Sequence, residues 1–508
     1  MLNPTPEVLI IGGGPAGAAA GRLLAAWGHD VVLVERNLDR PPPEDSLTES
    51  LPPSIRKPLA ATQLLAVVEA ADFHPNEGNT SLWDGESRSD DFGAGATGFH
   101  VSRSKLDPLL RNSAASAGVQ LVAGSARLDP RDDSDSQSEL EVTTSDGVAR
   151  VWSPKWTLDC TGRTGVLARA HRVLEREAPT LAVVRRYEAS GGWDTVNEHH
   201  ALVESFENGW AWSVPSSTKS RHIAMMVDPA LQEVFVGEGN LSEAFDRVLN
   251  GTELMRSVAE CAAPVNDAWA CSASMYTSEH SASGRALYVG DACSFLDPLS
   301  SYGVKKALAS AWLAAVTVNT ALETPALGEE AVSFYGRREQ EMYRALRGTL
   351  ADHLVEAGAD SGPFWEVRRD WLRDPTASRL GQDNMEGLQV SKLRRDPAIQ
   401  DAFKAIKQGS GRLDLGEEKT VDRLMVMGNR LRMAPALVGR RFPDGVRHLR
   451  NVDLLRVVRL APASQSPGAL YESYSTWAAE NDGAPVDLGD FLGTLALLVA
   501  EGILIPRS

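Results

Sequence analysis

Val8-Leu9-Ile10-Ile11-Gly12-Gly13-Gly14-Pro15-Ala16-Gly17 is the stretch on which the reading of the fold turns. Four consecutive apolar residues make a short strand buried on both faces. The glycines after it serve distinct purposes: Gly12 permits a tight turn, Gly14 lets the backbone approach a pyrophosphate, and Gly17 lets the next helix pack close to the strand. Residues 18 to 27 carry that helical pattern, so its free N–H groups and the positive end of its dipole face the anion. After Gly28 a second strand, residues 31 to 34, ends at Glu35, eighteen residues beyond Gly17. A carboxylate there accepts from an adenosine ribose and disfavours a phosphorylated one. Strand, glycines, helix, strand and acid occur in order, which a chance GxGxxG does not supply. A second match, Gly93-Ala94-Gly95-Ala96-Thr97-Gly98, lacks that context: it follows the polar residues 87 to 91 and leads into a strand-like run, 99 to 101. No separate nicotinamide-binding domain is expected from it.

At 508 residues the chain predicts two or three domains. With 43% hydrophobic and 23% charged residues and no long apolar run, it reads as soluble, without a membrane span. The start, with Pro4 and Pro6 leading into an apolar strand, does not resemble a secretory signal, so the expected location is cytoplasmic. Cys160, Cys261, Cys271 and Cys293 lie far apart with no CxxC, which suggests neither a zinc site nor a disulfide framework, and no metal is expected. A net charge of −17 argues against nucleic acid as the main partner. The acidic residues 129 to 135 read as a solvated hairpin loop rather than a metal loop.

Three further segments resemble the fingerprints of the FAD-dependent aromatic hydroxylase superfamily, whose subgroups include flavin-dependent halogenases and geranylgeranyl reductases. The resemblance covers roughly residues 5 to 370. Arg103, followed by Leu106-Asp107 and Leu109-Leu110, looks like the helix start whose arginine contacts FAD. Asp159-Cys160-Thr161-Gly162 looks like the D-x-T-G strand end, where the chain turns beneath the dinucleotide. The most specific segment is Gly290-Asp291-Ala292 followed by Asp297-Pro298-Leu299-Ser300-Ser301-Tyr302-Gly303-Val304 and an alanine-rich helical run. An apolar strand delivers Gly290 for close backbone approach and Asp291 to accept from ribitol hydroxyls. The amides at the following helix start then face the isoalloxazine, where the charge of a reduced flavin needs stabilising. The expected FAD-binding residues are Gly12, Gly14, Pro15, Ala16, Gly17, Glu35, Arg36, Ser50, Arg103, Gly290, Asp291, Pro298, Gly303 and Val304.

Gly209-Trp210-Ala211-Trp212-Ser213-Val214-Pro215 is similar to the W-x-W-x-x-P element of flavin-dependent halogenases, and Glu49-Ser50-Leu51-Pro52-Pro53 looks like their strap, with Thr48 in place of glycine. Trp210 and Trp212 point to one face of a strand and, with Ser301, are expected to line the substrate pocket. Such halogenases need a relay lysine shortly after the strap. Residues 71 to 78 hold none, and Lys57 is the one nearby. The favoured activity is therefore oxygen insertion from a flavin hydroperoxide into an aromatic substrate, tryptophan or peptidyl-tryptophan, as in the halogenase-like flavoproteins of tryptophylquinone maturation, which Lys305 and Lys306 also resemble. Halogenation, and dehydrogenation of the geranylgeranyl reductase type, are the alternatives. Tyr302, Lys305 and His199 are the candidate catalytic groups, and the reductant is NAD(P)H or a partner flavin reductase.

The expected fold class is α/β. An FAD-binding Rossmann-like domain (1–175 and 280–345) carries an antiparallel β substrate domain (176–279), a helical segment (346–410) and a small C-terminal module (411–508) resembling a winged helix. Residues 178 to 228 alternate apolar and polar residues as a half-buried antiparallel sheet does. The module's arginines, Arg440, Arg441, Arg447, Arg450, Arg456 and Arg459, suit a peptide or protein partner better than DNA, given the overall charge, and a packing or dimer domain is the plain alternative.

Overall fold

The computed structural model describes residues 5–40, 47–93, 95–128, 139–175, 178–193, 196–231, 240–356, 362–373, 393, 396–408, 411–449, 452–480 and 486–507. Val8–Ile11 lies near the centre of an eight-stranded sheet, paired in parallel with Val31–Glu35 on one side and Trp156–Asp159 on the other. Gln120–Leu128 and Ala286–Tyr288 extend the parallel core outward. All four residues of Val8–Ile11 are buried, as a strand covered on both faces requires. The helix Pro15–Ala26 follows the glycine turn, with Gly14 as N-cap and proline in its first turn, where the missing N–H costs no hydrogen bond. The helix Gly303–Glu323 packs against it. The α/β class read from the sequence is the one observed.

A second eight-stranded sheet contains Leu181–Glu188, Ser220–Val227, Gly209–Pro215 and His200–Phe206 as adjacent antiparallel strands. Gly78–Trp83 joins it in parallel beside His200–Phe206, so a segment from the first part of the chain completes it. One face, with Val183, Ala211, Ile223 and Met225, packs against Phe245, Leu249, Met255 and Val258 of the helices Leu241–Leu249 and Leu254–Glu260. The other face carries the site. The acidic residues 129 to 135 lie outside the described residues; the strands flanking them, Gln120–Leu128 and Leu140–Thr144, pair antiparallel. The second GxGxxG leads into the strand Gly98–Ser102, with no helix following the glycines directly.

The chain divides into two compact units, 1–381 and 382–508. In the second, the helices Pro397–Gln408, Leu454–Leu460, Pro467–Glu480 and Leu488–Ala500 share one core, built on Ile399, Leu455, Tyr474, Phe491 and Leu495. Three antiparallel strands, Thr420–Met427, Arg430–Gly439 and Phe442–Val446, complete it, and Leu504–Pro506 returns to pair with Leu413–Leu415. Three of its arginines are engaged internally: Arg441 meets Asp396 and Glu501, Arg447 meets Asp453, and Arg456 lies over Trp477. Arg450 falls outside the described residues. No helix among the described residues is long and apolar enough to cross a membrane. All four cysteines are free, and the described residues contain no metal-holding cluster.

Candidate active site

Gly12 sits at φ +98°, and a Cβ there would stand 2.5 Å from the Cys160 carbonyl oxygen. The turn is therefore possible only for glycine. A Cβ on Gly17 would fall 1.9 Å from the Gly12 oxygen, so Gly17 secures helix-to-turn packing. Gly14 has room: a Cβ there would meet only Arg103 Nη2, at 3.4 Å. Glu35 closes the cradle, its carboxylate accepting from the N–H groups of Gly13 (2.7 Å) and Asn37 (2.9 Å).

One continuous cavity of about 590 Å³ runs from this cradle to the second sheet. At the cradle end it is lined by Gly12, Gly14, Pro15, Ala16, Glu35 and Arg36; at the middle by Ser50, Arg103, Asp291, Pro298, Ser301, Tyr302, Gly303 and Val304; at the far end by Trp210 and Trp212. Gly17 and Gly290 stand behind the lining, packing helix against strand. Arg103 forms a bidentate pair with Asp107 (2.7 and 2.9 Å) and also meets Glu49 (3.2 Å). Asp159 is spent on its own turn, accepting from Thr161, Leu167 and Ala168. A polar cradle at a helix N-terminus joined to an apolar chamber is the shape a dinucleotide ending in a flavin fills. The residues present fit FAD.

The sequence profile of the FAD binding domain family matches residues 5–324. The chain belongs to that family. It is a flavin-dependent oxidoreductase. Among curated proteins it is similar to a tryptophan 2-halogenase of Chondromyces crocatus, 25% identical over 82% of this chain and 80% of that one. It is also similar to the flavin-dependent halogenase armH3 of Armillaria mellea, 26% identical over 72% of this chain and 77% of the relative. Its fold is shared with CmlS, a flavin-dependent halogenase (TM-score 0.72, 21% identity, 99% of this chain and 96% of that one). The peptidyl tryptophan dihydroxylase QhpG is a further structural neighbour (TM-score 0.66, 21% identity, 98% and 99% coverage).

The far end of the FAD family cavity follows from strand register. Residues directly opposed in antiparallel strands share a face, and one such row runs Val203, Trp212, Ala224, Val184, Trp269. The next row on that face runs Ser205, Trp210, Met226, Ala182, Cys271. Two indoles on one side and Trp269 with Cys271 on the other thus bracket a floor of small and flexible side chains. Phe295, Leu296 and Leu299 reach the same space. The tryptophan pair was legible from its spacing, whereas Trp269 and Cys271 were not, because they reach the sheet through pairing with Leu181–Glu188.

The candidate catalytic groups separate. Tyr302 lines the cavity. Lys305 does not: its ammonium lies over the Tyr302 ring at 4.8 Å and donates to Ser54 Oγ at 3.2 Å. Burial and the neighbouring charge of Lys57 lower its pKa. His199 stands away from the cavity, stacked on His74 at 4.9 Å in a cluster with His100. His200, the first residue of the strand His200–Phe206, is the fully buried one of the two, meeting Thr80 Oγ1 at 3.0 Å. Lys306, which does line the cavity, is 3% exposed, with its ammonium held by Asp291 Oδ1 (3.3 Å) and by Ser294.

Proposed function

We propose that the chain is an FAD-dependent monooxygenase that hydroxylates an aromatic substrate, with an indole, free or within a peptide, as the preferred class. The chamber bounded by Trp210, Trp212 and Trp269 supports a flat apolar substrate. The observation that carries hydroxylation over halogen transfer concerns lysine. Among the described residues the cavity's one lysine is Lys306, whose ammonium is committed to Asp291 and Ser294 and has no freedom to relay hypohalous acid. FAD held in this cavity would supply the activated oxygen. The chain's own residues orient the ring and exclude water. Electrons come from NAD(P)H or a partner flavin reductase. The 382–508 unit is assigned to peptide or protein contact, since its described arginines Arg441 and Arg447 are neutralised internally.

Halogenation is the second reading, favoured by the names of the curated relatives and by Lys57 lying close enough to Lys305 to perturb it. Product mass decides: incubation with reduced FAD, oxygen, halide and a tryptophan peptide is expected to add oxygen and no halogen. A halogenated product would overturn the reading. A second expectation concerns the chamber floor. Val184→Phe should raise KM for the aromatic substrate at least about tenfold, equivalent to ~1.4 kcal/mol, with FAD content unchanged. An unaltered KM would move the substrate elsewhere.

A further inference from the structure

The turn that presents Asp291 to the cavity is held from behind by two helices. From the helix Gly303–Glu323, Ser310 Oγ accepts from the Gly290 N–H at 2.9 Å, and Lys306 pairs with Asp291. From the helix Gly328–Glu356, Tyr335 donates to the Tyr288 carbonyl at 2.7 Å and meets Ser310 Oγ at 3.3 Å. One turn beyond Tyr335 on that helix stands Glu339. It is 2% exposed, and both of its carboxyl oxygens are buried without a hydrogen-bond partner. No function assigned so far uses it.

An unpaired carboxylate in such a place is expensive, and a carboxylic acid is far less so. Burial accordingly pushes Glu339 up to about 7, against the opposing pull of the Lys306 ammonium and the nearby Ser310 hydroxyl. The other titratable groups that sense it are Cys293 in the turn and Tyr335, and burial keeps both neutral through the physiological range. Glu339 is thus the group in this shell whose charge can change when charge arrives at the cavity.

We propose that Glu339 is a redox-linked proton site for the bound flavin, joined to it through Lys306 and Asp291. The inference rests on the flavin lying against the Asp291 turn. Reduction places two electrons and one proton on the cofactor, leaving it with an added negative charge. The Lys306 ammonium then serves that charge as well as Asp291 and attracts Glu339 less strongly in effect. The Glu339 carboxylate takes up one proton from solvent and becomes the neutral acid. In total, two electrons and two protons enter, one proton on the flavin and one on Glu339. Above the Glu339 pKa reduction carries this extra proton, and below it the carboxyl is already protonated. The midpoint potential therefore falls more steeply with pH on the alkaline side of neutrality.

The test is a spectroelectrochemical titration of the FAD-loaded protein across the neutral range, with dithionite as reductant. The wild type is expected to show a break in the slope near pH 7, and Glu339→Gln, which keeps shape and loses the proton, should show none. Lys306→Met removes the ammonium that stabilises the carboxylate, so its break should move to higher pH. Identical slopes in wild type and Glu339→Gln, both with FAD bound, overturn the proposal. The seat itself is checked separately: Asp291→Ala should weaken FAD binding at least tenfold, and an unchanged Kd would displace the flavin from this turn whatever the potentials show.

Discussion

Gly14→Val is expected to give folded protein that carries no FAD, whereas Gly17→Ala gives little folded protein at all. The two glycines belong to one motif, and the difference lies in what their missing side chains leave open. At Gly17 a Cβ would lie 1.9 Å from the Gly12 oxygen and 3.1 Å from Ile10 Cγ2. Backbone cannot yield as a flexible side chain does, so the helix Pro15–Ala26 must leave the central strand. At Gly14 the backbone has φ −74°, which any residue adopts, and only the end of Arg103 stands near. A valine there is tolerated by the protein and fills the space a pyrophosphate needs. The loss should be at least about a hundredfold in Kd, or ~3 kcal/mol. Flavin absorbance per protein, read beside the thermal midpoint, separates the two effects. Stoichiometric FAD in purified Gly14→Val would remove the pyrophosphate from this turn.

That contrast also explains what could be read from the sequence. The cradle's elements are local: strand, turn, helix and second strand occupy residues 8 to 35, and Gly17 acts on Gly12 and Ile10, although Gly12 also answers to the distant Cys160 carbonyl. The α/β class and the antiparallel strands followed from the same short-range periodicities. The chamber was only half legible. Trp210 and Trp212 announce their common face by spacing, but Trp269 and Cys271 enter that face through a register with Leu181–Glu188 that no local pattern specifies. The pairing of charges was hidden for a related reason. The arginines near the C-terminus form a basic run in sequence, yet Arg441 meets Asp396 and Glu501, 45 and 60 positions away. Lys306 stands out in the sequence only as part of a resemblance, and its commitment to Asp291 depends on a helix turn meeting a loop. His199 stacks on His74 beside His100, away from the cavity, a placement set by residues 99 to 125 positions away.

Stability should decline steeply as pH falls below the ordinary histidine range, and His100 should account for much of the slope. His100 is 1% exposed on the strand Gly98–Ser102, bonded through Nε2 to the His199 carbonyl at 3.0 Å, with Nδ1 unpartnered. Burial lowers its pKa to about 3; the His199 carbonyl opposes that, while Arg221, His74 and His199 add to the lowering. His74 is lowered as well, chiefly by burial. An unfolded chain binds a proton at about pH 6.5, so between the two values the unfolded state holds the extra proton and acid favours it. The stabilisation is fully present above about pH 6.5 and falls by about 1.4 kcal/mol per unit below it. Glu339, Glu204 and Asp297, raised by burial, act in the opposite sense, because the native state takes up their protons first. Comparing denaturant midpoints of wild type and His100→Gln isolates the histidine: the variant should lose less stability between pH 7 and about 5, and equal losses would assign the slope elsewhere. His100 is paired in register with Ser50, and Ser50 lines the FAD cavity. Protonating the histidine therefore strains the strand that borders the cofactor, and flavin release should track the acid transition rather than follow it.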